Sequence, residues 1–208
     1  RAMHEGVTPR LQRVLDALER TPAIVKTATW DVGAWNRAAA AVLVDYAKLA
    51  PEQRNILRLM FCEPRARSLH FDWEHMARAA VTAFRADVLR AGASREVEAM
   101  VTELCQRNPE FAAMWHGSDP RAQGDGTKRL RHPRVGTLGL EYSAFAVDGR
   151  PDLSLVVFGP ATPADATRIE TLIETDDRGG LESRRKTAVA AMPRTPRSRT
   201  GSKSAAGG

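Results

Sequence analysis

Residues 138–158, LGLEYSAFAVDGRPDLSLVVF, decide the fold class. Leu138, Leu140 and Tyr142 alternate with Gly139, Glu141 and Ser143, a period of two that suits a strand with one buried face. Asp148 and Gly149 are turn residues that tolerate positive φ, and Leu153 to Phe158 then runs apolar on both faces. The stretch therefore reads as an antiparallel hairpin. Far upstream, Ala23 to Trp35 is rich in Ile, Val, Thr and Trp, which predicts two more short strands bent at Gly33.

Between the two strand pairs the pattern turns helical. Asn36 caps an alanine-rich helix expected to run through Val42, Leu43 and Tyr46 to about Leu49. Pro51 opens another with Ile56, Leu57, Met60 and Phe61 as its buried stripe, ending before Pro64. Asp72 caps a longer helix carrying Met76, Ala80, Phe84 and Val88 at i+4 steps, closed by Gly92. Ser94 caps the next, with Val97, Met100, Val101, Leu104 and Cys105 on one face, and Pro109 starts a short one with Phe111, Met114 and Trp115. A polar loop from Gly117 to Thr127 leads to the hairpin, after which Thr162, Pro163 and Asp165 begin a last helix with Ile169, Leu172 and Ile173 inward.

At the other end, Thr8 and Pro9 start an amphipathic helix with Leu11, Val14, Leu15 and Leu18 at helical spacing, ended by Thr21-Pro22. The expected class is α+β: an antiparallel sheet with a helical insert and an N-terminal amphipathic helix. The expected division is a disordered start over 1–7, a folded body over 8–183 and a disordered basic tail over 184–208.

The chain has 208 residues, 43% hydrophobic and 27% charged, which is a globular composition. Its net charge of +6 suggests nucleic acid until the charge is located. Seven of the 31 basic residues and none of the 25 acidic ones lie in 184–208, leaving the body with 24 against 25. The body is therefore about neutral, so the charge gives no sign of a basic binding face there and leaves the tail a weak, nonspecific electrostatic attachment to DNA. No run nears the roughly 18 apolar residues of a membrane span and no signal-peptide pattern opens the chain, so a cytoplasmic protein without membrane contact is expected. Cys62 and Cys105 sit in apolar helical patterns, where a thiol behaves as a small hydrophobe.

Chemistry is sparse. His70 and His75 are five apart, and no HExxH, CxxC, G-x-S-x-G, Walker or dinucleotide motif occurs. No metal, no cofactor and no catalytic residue is predicted, and His132 with Glu141 is the nearest approach to an acid–base pair. Aromatic residues instead gather at element ends: Trp30, Trp35, Trp73 and Trp115, with Phe61, Phe84 and Phe111. Two readings stand, ordinary core or the lining of a ligand cavity. Asn36, Asn55, Arg58, Arg85 and His132 are the polar side chains placed beside them. Either arginine suits a ligand carboxylate, and equally an ion pair with Glu63, Glu74 or Asp72. The many alanines, at 38 to 41, 79 and 80, either pack tightly or face open space.

Five segments in order, PAIVKTATWDVGAWNRAAAAVL (22–43), PEQRNILRLMF (51–61), FDWEHMARAAVTAFR (71–85), PEFAAMW (109–115) and HPRVGTLGLEY (132–142), resemble the MmyB-like ligand-binding domain of bacterial transcription regulators. The resemblance implies a PAS-like fold that follows an Xre-type helix-turn-helix, and a sensor of a small apolar or fatty-acid-like metabolite. It implies motif positions at Trp30, Asn36, Asn55, Arg58, Phe61, Trp73, Arg85, Trp115 and His132, to which the aromatic pattern adds Phe111. Here seven residues precede Thr8, too few for a helix-turn-helix, so the chain reads as a fragment or a mis-started product that meets DNA through a missing N-terminal domain or weakly through its basic tail. Ser118 stands where the family pattern has a histidine. A homodimer is expected because two DNA-reading units serve a twofold site. The alternative is a ligand-free dimerisation or protein-interaction module of the same fold.

Overall fold

The computed structural model describes residues 7–92, 94–117 and 126–190. Helix α1 (Pro9–Ala17) leads into strands β1 (Ala23–Thr27) and β2 (Val32–Trp35). Then come α2 (Arg37–Val42), α3 (Ile56–Phe61), α4 (Ala66–Leu69), α5 (Trp73–Ala91), α6 (Arg95–Arg107) and α7 (Pro109–His116). Strands β3 (Thr127–His132), β4 (Gly136–Val147) and β5 (Arg150–Pro160) and helix α8 (Pro163–Ala190) complete the order. The five strands form one sheet, ordered β2-β1-β5-β4-β3 with every pair antiparallel, which is the PAS-like α+β arrangement.

Strand alternation gives the sheet two buried faces. Ile24, Leu138, Leu140, Val156 and Phe158 point to the inner face, where Ala38, Ala39 and Val42 of α2 and Ile169, Leu172 and Ile173 of α8 complete a core. Ala23, Val25, Ala34 and Leu153 point to the outer face beneath α1, against Leu15 and Val7. The helical insert has its own core, built from Trp30, Leu57, Phe61, Trp73, Phe84, Met100, Leu104 and Phe111. Phe61 meets Trp73 and Phe111 edge-on at 5.5 and 5.1 Å, contacts worth about 0.5–1.5 kcal/mol each beyond their burial.

Several local expectations are corrected. The bend between β1 and β2 falls at Trp30, with φ of 64°, and not at Gly33, which lies within β2. The helix capped by Asn36 stops at Val42, and a 3-10 turn follows at Tyr46–Lys48. Leu43, Val44, Tyr46 and Leu49 all pack on the inner core, and one helix would spread them around its circumference. The helix opened by Pro51 breaks at Arg54 because the chain there pairs with the first turn: Val32 N donates to Arg54 O, Ile56 N donates to Trp30 O, and Asp31 bridges Asn55. A third strand, β3, lies on the hairpin's open edge, where a polar stretch concealed Lys128, Leu130 and His132 alternating with exposed Arg129 and Arg131. Val14 and Cys62 are exposed, not buried.

Val7 is buried although it stands in the predicted disordered start, and the α8 backbone continues past Arg184 to Ala190. The predicted disorder of 1–6 and 191–208, and the departure at Ser118, lie outside the described residues.

Candidate functional site

Helix α5 has two unlike faces. Trp73, Ala77, Val81 and Phe84 pack into the insert, while Met76, Ala79, Ala80, Ala83 and Ala86 face the sheet. Small side chains cannot fill the gap to Ile24, Tyr142, Ala144, Val156 and Phe158 opposite, and an apolar cavity of about 340 Å³ remains. A second space, again about 340 Å³, continues toward α2 and α4, lined by Val42, Tyr46, Leu59, Leu69, His70, Leu130 and His132. The two share Ile24, Ile56, Met60, Lys128 and Phe158, so they are lobes of one region between sheet and insert.

Polar groups enter it at few points. Lys26 Nζ pairs with Asp87 at 2.5 Å, Trp30 Nε1 donates to the same carboxylate at 2.8 Å, and Arg90 meets its other oxygen at 3.0 Å. Burial by itself raises the Asp87 carboxyl, but the bonds from Lys26 and Trp30 and the nearby Arg90 outweigh it and hold the group below its ordinary range. Burial lowers Lys26 against the opposing pull of Asp87. The Lys26 ammonium also lies 3.8 Å from the Trp30 ring centre. These ties hold Trp30 in a left-handed backbone conformation that costs a bulky residue about 1 kcal/mol or more. On β3, Lys128 faces the junction of the lobes, where burial brings it down to about 8.

The sequence-predicted site residues separate into three groups. Trp30 and His132 line the lobes. Phe61, Trp73, Phe111 and Trp115 belong to the insert, with Trp73 Nε1 donating to Met60 O at 3.1 Å. Asn36, Asn55, Arg58 and Arg85 tie backbone and helices. Asn36 caps α2, receives a bond from Ala23 N and donates to Leu18 O and Thr21 O at 2.8 Å each. Asn55 caps α3 and donates to Thr29 O and Asp31. Arg58 pairs with Glu103 at 2.6 Å, and Arg85 donates to Met114 O and Gly117 O, so neither meets Glu63, Glu74 or Asp72. His132 and Glu141 lie at opposite ends of the β3–β4 ladder, which removes them as an acid–base pair.

Sequence reasoning missed Lys26, His70, Asp87 and Lys128. The available signals were the i, i+3, i+4, i+7 stripe from Met76 through Ala79, Ala80 and Ala83 to Asp87, and the alternation across 128–132. Among the described residues no cluster of three or more His, Cys, Asp or Glu could hold a metal, and no helix is long and apolar enough to cross a membrane.

An antiparallel sheet facing an alanine-lined helix across an apolar cavity with a few converging polar groups has the architecture of a small-molecule-binding domain. The chain belongs to the MmyB-like transcription regulator ligand binding domain family, whose model matches residues 7–172. That makes it the ligand-binding, regulatory part of a transcription regulator. Comparison with curated proteins gave no match.

Proposed function

We propose that this domain senses a small apolar, fatty-acid-like molecule held between the inner sheet face and α5, and catalyses no reaction. The single observation behind this reading is the two-lobed cavity, each lobe within the roughly 300–1,000 Å³ of small-molecule sites. The long shared wall of Ile24, Ile56, Met60 and Phe158 suits a flexible hydrocarbon better than a flat polar ligand. The rival reading, a ligand-free interaction module, calls for a filled core, and Ala79, Ala80 and Ala83 instead face open space.

The sheet supplies a route outward. Ile24 and Lys26 face the lobes while Ala23 and Val25, between them on β1, lie beneath α1. Gln12 of α1 donates to Trp35 O, and Asn36 holds the carbonyls just after α1. A ligand with different affinity for two settings of β1 therefore biases α1, and through it a DNA-binding domain in the complete regulator. We take the working unit to be a homodimer, since a twofold DNA site is read by paired domains.

Mass spectrometry of the purified protein under native and then denaturing conditions tests the reading. A small apolar molecule released on unfolding supports it. A folded protein that releases nothing and binds no medium-chain amphiphile overturns it.

A further inference from the structure

We propose that Lys128 and His70 form an anion-binding subsite at the junction of the two lobes, one that takes the carboxylate head of an otherwise apolar ligand and fixes its direction in the cavity. The inference rests on the cavity reading above and adds the chemistry of one end of the ligand.

The backbone places the two side chains together. His70 follows α4 and bridges Leu130 in an isolated antiparallel pairing, supported by Phe71 N donating to Arg129 O at 3.4 Å. Lys128 stands two residues from Leu130 on the same strand face, so His70 and Lys128 are diagonal neighbours, roughly 7–8 Å apart at the backbone. Leu130 is buried, which directs all three toward the inner layer, and both Lys128 and His70 line the second lobe.

Each carries an unmet bonding capacity. The His70 Nδ1 atom is buried with no hydrogen-bond partner. The Lys128 ammonium has no ion pair or hydrogen bond among the described residues, and its nearest aromatic, Phe158, is 6.0 Å away at the ring centre. Lys26, the other lysine of the cavity, shows the usual solution, a carboxylate at 2.5 Å. Lys128 is half-buried, and an ammonium in a partly apolar wall with no carboxylate beside it among the described residues favours an anion that joins it. The other charged or titratable groups around this lobe are otherwise engaged or turned outward. Glu63 is exposed, Arg131 stacks over Phe71 at 4.5 Å, and His132 Nδ1 accepts from Arg134 N at 3.2 Å. Burial and the Lys128 charge bring His70 down to about 4, so near pH 7 the site offers one ammonium and one neutral imidazole, both able to donate to a carboxylate.

The test is calorimetric titration of the full chain at pH 7 with decanoate and with decan-1-ol, which share a tail and differ in the head. The wild type is expected to bind decanoate at least tenfold more tightly than the alcohol. Lys128→Met should lower decanoate affinity tenfold or more and leave the alcohol unchanged, which also shows the variant's cavity to be intact. His70→Phe should lower decanoate selectively by a smaller factor, and it tests the subsite independently of Lys128. Equal binding of acid and alcohol by the wild type, or an unchanged ratio in both variants, overturns the subsite and leaves the cavity reading in place. A wild type that binds neither overturns both.

Discussion

Lys26 Nζ and Asp87 Oδ2 lie 2.5 Å apart, so a largely buried ion pair joins the interior strand β1 to α5 beside the apolar cavity. Lys26 is 6% exposed, and the Trp30 indole shares the same carboxylate. Removing Asp87 leaves the Lys26 ammonium buried without its counter-charge, removing Lys26 leaves Asp87 only Arg90 and the Trp30 indole, and removing both takes the buried charges out of the apolar wall.

The pair therefore predicts a strongly non-additive double-mutant cycle. Asp87→Leu alone should cost about 3–5 kcal/mol, Lys26→Met less because Arg90 still meets Asp87, and the double variant clearly less than the sum. Chemical denaturation of the four proteins measures it, and additive losses would contradict the coupling.

Filling the cavity should separate binding from folding. Ala83 faces the first lobe from α5, so Ala83→Leu puts apolar volume into open space. The unfolding midpoint is expected to hold or rise, by up to about 1–2 kcal/mol of added burial, while decanoate binding falls tenfold or more. Thermal melts and titration on the same preparation check it. A stable variant that binds as the wild type does would place the ligand elsewhere.

Asn36 predicts a structural loss with no ligand selectivity. Its side chain caps α2 and bonds Leu18 O and Thr21 O after α1. Asn36→Ala removes a cap and orphans buried carbonyls, about 2–4 kcal/mol together. Denaturation gives the size, and hydrogen exchange should show α1 as the segment losing protection.

Acid stability should carry the mark of His70. In the ligand-free protein it titrates near 4, against 6.5 when free of the fold, so folding favours the neutral ring. Its contribution is complete above about pH 6.5 and is lost as pH falls from there through about 4. Asp87, held below its ordinary 3.8, loses its contribution only at lower pH. His132 is also lowered and acts with the same sign, so His70→Phe should flatten the wild-type decline between pH 6.5 and 4 without abolishing it. Melting midpoints across that range decide the matter, and two superimposable profiles would remove His70 as a source.

The large features of this fold were legible because period and caps act locally. Asn36, Asn55, Asp72, Ser94 and Asn108 each accept a bond from the backbone of the helix they open. The first four stood out in sequence, three as caps. Asn55 instead read as a pocket residue, although its cap and its bond to Asp31 set the break between Pro51 and Ile56. β3 was hidden because three of its six residues are Lys or Arg, and only the partner strand reveals which of them turn inward. The cavity was illegible for a related reason. A run of alanines describes a helix face equally well whether another surface touches it or stands away, and the distance to the sheet is a tertiary quantity.

The division of α5 into an aromatic side and an alanine side has a bearing on how such a domain diversifies. Met76, Ala79, Ala80, Ala83 and Ala86 set the room available on one wall, while Trp73, Val81 and Phe84 anchor the helix from behind. One-codon exchanges along the alanine side can shorten, lengthen or bend the chamber while β1 and the helix it carries stay as they are. Recognition can thus drift through many chemical tastes under a constant mechanical output, each step small enough to keep the lineage folded.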